Sequence, residues 1–256
     1  MSLFSPNLYG DGPDEYERPR KTGLARLWQL FTRDSLRLLG AGALATASAA
    51  VYAVGLMVSI DSHALLPMLI TCPLGGLLAA PQLCGLADTI LRGMRDDTSH
   101  WWTTYRRAWK QNVKGTLLPG AVGGLLFGFQ MFTILQANRL LLDRFLLAAM
   151  LLGAVVAAAI TTWLLPQLAL MDLPLRRALL NAALLCVRHP LRTLAATALQ
   201  LVYWGFVILA FPHSLVIFLL LNFWLPMLAA LMFLYDPLDD TFHIEEELDD
   251  TEEEPI

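Results

Sequence analysis

The sequence predicts an all-α polytopic membrane protein with six transmembrane helices, and three observations carry that reading. Of the 256 residues, 56% are hydrophobic and only 16% are charged, with a mean hydropathy of +0.54. A soluble domain carries nearer a quarter charged residues. The charges are also segregated. Uncharged runs from Leu38 to Ile60, Ser62 to Ala87, Gly115 to Asn138, Phe145 to Met171 and Thr193 to Tyr235 separate them, and each is long enough for a span of about 20 residues. Finally, the basic residues fall on alternate connections.

In chain order, residues 1–21 hold Pro6, Gly10, Gly12, Pro13 and Pro19 among polar residues. They are expected to form a disordered tail. The membrane domain is expected over 22–235, with spans at about 38–60, 64–87, 115–138, 145–171, 193–211 and 214–235. The last uncharged run is too long for one span, and Phe211-Pro212-His213 divides it, because proline ends a helix. A cleaved leader ending near Ala47-Ser48-Ala49 is disfavoured, since the apolar run continues past the about 7–15 residues of a signal core. The second span carries Pro67, Pro73 and Pro81 and is expected to be kinked or broken. From Asp236 onward eleven acidic residues accumulate without a Lys or Arg, so 236–256 reads as an acidic disordered tail. Its docking on the basic loops is an open expectation.

Six basic residues lie from Arg18 to Arg37, six from Arg92 to Lys114 and four from Arg176 to Arg192; the opposite connections hold only Arg139 and Arg144. This asymmetry places both termini in the cytoplasm of a multi-pass protein.

The stretch "RRAWKQNVKG" at 106–115 resolves on helical spacing. Trp101, Tyr105, Ala108, Trp109 and Asn112 share one face; Arg106, Arg107, Lys110 and Lys114 share the other. An aromatic face opposite a basic face, just before a span, describes an amphipathic helix at the cytoplasmic membrane surface, or a partner-docking helix. The lipid bilayer is the first partner expected. Nucleic acid is not, since aromatics and cations would have to share one groove. "LARLWQLFTRDSLRLLG" and "RRALLNAALLCVRHPLRTL" repeat the arrangement, and Asp34, Asn112 and His189 are spaced by 78 and 77 residues. A threefold repeat of interfacial helix, span out and span back follows.

The segment "LPMLITCPLGGLLAAPQLCGLADTILRGMRDDTSHWWTTYRRAWKQNVKGTLLPG" resembles the YesL-like family of bacterial membrane proteins. The matching positions are Pro67, Thr71, Pro73, Arg92, Trp102, Tyr105, Ala108, Trp109, Lys110, Asn112 and Lys114. The sequence departs from the family at the turn "RGMRDDTSH" and at Val113, where an aromatic is usual. The resemblance covers about a fifth of the chain. It implies a bacterial cell-membrane protein accompanying a carbohydrate-uptake system of the ABC type, a membrane transporter component being its partner. No catalytic residues carry over.

No span holds Asp, Glu, Lys or Arg in its middle, which disfavours ion-coupled transport. Gln82, Gln130, Thr133, Gln200 and Asn222 are expected to bond helices together, and Gly120, Gly124 and Gly128 to seat a close helix contact. No phosphate-binding loop, zinc-protease helix or hydrolase elbow occurs. His63, His100, His189, His213 and His243 are scattered, and Cys72, Cys84 and Cys186 read as core filler. Asp96-Asp97 reads as a solvated turn and helix cap. No enzyme activity, cofactor or metal is expected. The functional expectation is an accessory or assembly partner of a transport system, the alternative being a stand-alone small-solute channel or carrier. Single reporter cysteines at Gly10, His100 and Asp250 of a cysteine-free variant should resist an impermeant reagent in intact cells, whereas one at Leu141 should react. Equal labelling at Gly10 and Leu141 would refute the orientation.

Overall fold

The computed structural model describes residues 23–96, 100–171 and 173–242. The predicted N-terminal tail, and the C-terminal tail beyond Phe242, lie outside the described residues. Among the described residues the regular elements are eight helices: α1 (Gly23–Ser62), α2 (Leu65–Met94), α3 (Trp101–Leu135), α4 (Arg144–Leu170), α5 (Leu175–Arg188), α6 (Pro190–Leu209), α7 (Leu215–Leu221) and α8 (Trp224–Phe242). Helices α1, α2, α3, α4 and α6 are each long and apolar enough to cross a membrane. A sixth span results if α7 and α8, bent by 53° at their junction, cross as one. Leu152, Val202 and Leu220 stand largely exposed on outer faces, as side chains solvated by lipid do.

Helix α2 is the centre of the fold, packed heavily against both α1 and α3. Glycines allow the approach to α3. A methyl group added at Gly76 would sit 2.1 Å from the Gly120 carbonyl oxygen, and one at Gly124 would sit 2.4 Å from the Cys72 carbonyl oxygen. The three-glycine face of the third span therefore meets an internal partner, and at Gly76 the two backbones touch. Far from the basic end, the Gln136 amide closes the same three-helix unit by donating to the Ile60 carbonyl at 2.8 Å. It also lies 3.0 Å from His63 Nδ1.

Of the two outcomes expected for the prolines of α2, a kink or a break, the break does not occur. Pro67 falls in the first turn, where its missing N–H has no helical partner anyway, and Pro73 and Pro81 lie inside a continuous helix. The backbone break comes instead at Asn222, between α7 and α8, with φ +23°. Tyr203 Oη donates to the Asn222 carbonyl at 2.8 Å, and Asn222 Oδ1 accepts from the Trp224 backbone N–H at 3.2 Å. Helix α6, α8 and the side chain of Asn222 itself thus satisfy the irregular backbone, as a membrane interior requires.

The three amphipathic segments take two forms. Those before the first and third spans are continuous with them, so α1 runs for 40 residues and α3 for 35. At 1.5 Å per residue α1 is about 60 Å long, twice the hydrocarbon thickness of a bilayer. Only the third, α5, is a helix of its own, ending at His189-Pro190. The hairpins of the expected threefold repeat are packed to different degrees, α1 heavily on α2 and α3 lightly on α4. At the other end of the domain α8 continues past 235 to Phe242, because Pro237 and Leu238 are buried there.

Gly124→Ala should lower thermal stability in detergent by about 1–3 kcal/mol, the usual range for overpacking. Gly123→Ala, one residue away with nothing within 4 Å of the added methyl, should be neutral or slightly stabilising. Equal melting temperatures for the two variants would refute the close α2–α3 contact.

Candidate functional site

The head of α3 separates as its spacing predicts. Tyr105 and Ala108 are buried and Trp109 and Asn112 partly so, whereas Arg106, Arg107, Lys110 and Lys114 are exposed. The aromatic side packs on neighbouring helices. Tyr105 Oη donates to Gln82 Oε1 of α2, and the Trp101 ring lies where a side chain at Gly40 of α1 would be. Trp102 stays exposed and stacks on Tyr105. The Asn112 amide donates to the Ala108 carbonyl at 3.0 Å within its own helix. Trp101 and Tyr105 are thus turned toward α1 and α2.

Beside this face lies a charge network that sequence reasoning missed. Arg26 is 6% exposed. One of its terminal nitrogens donates to the Met94 carbonyl at 2.6 Å and to Asp96 Oδ2 at 2.8 Å. Arg33 donates to the Gly93 carbonyl at 2.7 Å, to Asp34 at 2.9 Å and to Asp96. Arg37 pairs with Asp34 at 3.6 Å, and Arg92 with Asp88 at 2.9 Å. The carbonyls at the end of α2 have no helical donors and carry the negative end of the helix dipole. Arginines from α1 supply donors and positive charge to two of them. Asp96, expected as a solvated cap, is instead the carboxylate bridging Arg26 and Arg33. Helix α3 is preceded by His100, which makes no side-chain cap bond, and Asp97 lies outside the described residues.

The network has little room for chemistry. A cavity of about 10 Å³ lies among Asp34, Arg37, Thr89, Arg92, Trp101 and Thr104, about the space of one water. Among the described residues no three His, Cys, Asp or Glu side chains come together as metal ligands. Nor does the cluster present a nucleophile beside a base. It ties α1 to the end of α2.

No family model, curated protein or solved structure matches this chain. The resemblance to the YesL-like family therefore rests on the residues quoted for it.

Of the mid-span polar residues, Gln82 accepts from Tyr105. Gln130 donates to the Met150 carbonyl of α4 at 2.7 Å, and Gln200 donates to Thr162 of α4 at 3.0 Å. All three join helices. Thr133 instead donates within its own helix, to the Phe129 carbonyl at 2.7 Å. The first acidic residue of the C-terminal series, Asp236, pairs with Arg192 at 3.2 Å. Both are well exposed, so that pair contributes about 0–1 kcal/mol.

Burial alone would push the Asp96 carboxyl up, but hydrogen bonds from Arg26 and Arg33, aided by their charge, outweigh it and hold the group below its ordinary 3.8. Such a group stabilises the fold fully above its unfolded-state value, and that stability is lost as pH falls through the lowered one. Wild-type melting temperature should therefore decline below about pH 4 more steeply than that of Asp96→Asn. Parallel pH profiles would remove Asp96 from the network's energetics.

Proposed function

We propose that this chain is a non-enzymatic accessory or assembly partner of a membrane transport system. By its resemblance to the YesL-like family the system is an ABC-type carbohydrate-uptake system of the bacterial cell membrane, and by its charge asymmetry both termini are cytoplasmic. The observation that supports the reading is the outward basic face of α3. Arg106, Arg107, Lys110 and Lys114 are exposed and form no ion pair among the described residues. The opposite side of the same helix is committed to the bundle through Tyr105 and Trp101. A helix anchored on one side and charged on the other offers its free face to something outside the chain. Anionic headgroups would give each cation on the order of 1 kcal/mol, and an acidic surface of a transporter subunit would meet the same charges.

The second reading, a stand-alone channel or carrier, draws on the α7–α8 break at Asn222, since interrupted helices line solute sites in many transporters.

One pair of experiments separates them. Replacing Arg106, Arg107, Lys110 and Lys114 together by Gln should leave a folded, inserted protein that no longer retains a transporter subunit through mild-detergent purification. The wild-type protein alone in liposomes should carry no sugar or ion flux. Flux from protein-only liposomes would favour the carrier, and unchanged co-purification of the Gln variant would remove the basic face from the accessory reading.

A further inference from the structure

We propose that the partly open cavity lined by α2, α4, α6 and α8 binds a lipophilic alcohol, a molecule with an apolar body and one hydroxyl group, taken up from the bilayer. The proposal is independent of the choice between accessory and carrier. The cavity has a volume of about 160 Å³. An apolar cavity of about 150 Å³ in a protein interior accepts benzene, so the space holds a ring or about six chain carbons, the end of a longer chain extending through its open side. Leu83 and Ala87 of α2 and Leu165 and Pro166 of α4 form one wall. Trp204 and Phe223 form another, their rings 4.9 Å apart. Ala87 stands seven residues from the end of α2 and Gln200 ten from the start of α6. The helix ends carry the charge network, and the uncharged runs put Ala87 at the end of the second span, Pro166 five residues inside the fourth and Gln200 seven inside the fifth. At 1.5 Å per residue the cavity therefore lies within about 10 Å of the basic-side edge of the hydrocarbon, where a lipophilic molecule with one polar group partitions.

The polar part of the wall selects the hydroxyl. Gln200 Nε2 donates to Thr162 Oγ1 at 3.0 Å, and among the described residues no hydrogen bond reaches Gln200 Oε1. The hydroxyl hydrogens of Thr161 and Thr162 are already committed, each to a carbonyl one turn back at 2.7 Å. Pro166 has no N–H to offer the Thr162 carbonyl four residues earlier. The other proline of the wall, Pro226, leaves the Asn222 carbonyl in the same position, but Tyr203 supplies that group with a donor. The wall therefore presents the Gln200 and Thr162 carbonyl oxygens as acceptors and has its threonine donors occupied. A ligand gains there by bringing one donor on an otherwise apolar body, which describes an alcohol better than an alkane, an ester or a ketone.

The test uses the full chain in liposomes and two photoactivatable probes carrying the same diazirine: an octanol and the matched octane. Adducts are located by mass spectrometry. Octanol adducts should concentrate on Leu165, Trp204 and Met227, saturate, and be displaced by unlabelled octanol, while octane labels the same residues about fivefold less, the value of one hydrogen bond. Gln200→Leu should abolish that preference while the variant stays folded. Thr161→Phe, at an exposed position on the rim, should block both probes at the cavity without changing adducts on the outer faces. Adducts spread evenly over lipid-facing residues, or labelling that does not saturate, would show ordinary partitioning and overturn the site. An alcohol preference that survives Gln200→Leu would overturn the assignment of ligand class.

Discussion

Contact between the backbones of α2 and α3 is the constraint on which the rest depends. Two helices with ordinary side chains pack 8–10 Å apart; glycines at 76, 120 and 124 bring these two closer, backbone against backbone, with only the small side chain of Ala80 beside Gly120. In lipid there is little hydrophobic gain from burying one leucine against another, so close packing and polar bonds hold helices together. Once α2 and α3 are pressed together, Tyr105 reaches Gln82, and Trp101 meets Gly40. The direction of the whole aromatic face of α3 is thus decided some fifteen residues away, by glycines in the span. The basic face points outward for the same reason.

The charge network is the complementary device at the end of α2. A charged group taken out of water costs several kcal/mol unless it is paired and bonded. Arg26, Asp34 and Asp88 are all at most 6% exposed, yet each has an opposite charge at hand. Their value is mainly positional, because two arginines of α1 must meet two particular carbonyls and one particular carboxylate. A slip of one residue between α1 and α2 would separate these groups and leave buried charge unpaired. The network therefore fixes register where apolar side chains in lipid specify it weakly.

Much of this was legible in the sequence, and the failures have physical causes. The all-helical class and the long apolar helices follow from charge-free runs, and the two faces of the α3 head follow from a 3.6-residue period. The network was hidden because charge near a span end normally means water. Yet Arg26, Arg33 and Arg37 recur at seven and four residues, on the same side as Leu30 and Asp34. That periodic charge among buried neighbours is the signal that could have exposed it. The prolines of α2 left open whether the helix would be interrupted: a proline removes one hydrogen bond, and a helix packed on both sides by α1 and α3 tolerates that loss. No local pattern marks the cavity, whose walls come from four helices distant in sequence.

The break at Asn222 links the two halves of the molecule. A side chain at Gly42 of α1 would lie 1.9 Å from Asn222 Oδ1, so the break fits against α1 only because position 42 is glycine. On its other side the break hands its carbonyl to Tyr203, and the next residue, Phe223, reaches the cavity wall. An interrupted helix in a membrane is often read as evidence for a solute path. Here the Asn222 carbonyl and Oδ1 are taken by Tyr203 and the Trp224 N–H, and only the buried Asn222 Nδ2 lacks a partner among these groups, so the interruption serves mainly as a joint between α1 and the α4–α6–α8 group. The carbonyl that Pro166 deprives of its helical donor and the Gln200 side-chain carbonyl lie one layer away, on α4 and α6. That separation places ligand chemistry in the cavity rather than at the break, and leaves the outward cations of α3 on a different part of the surface.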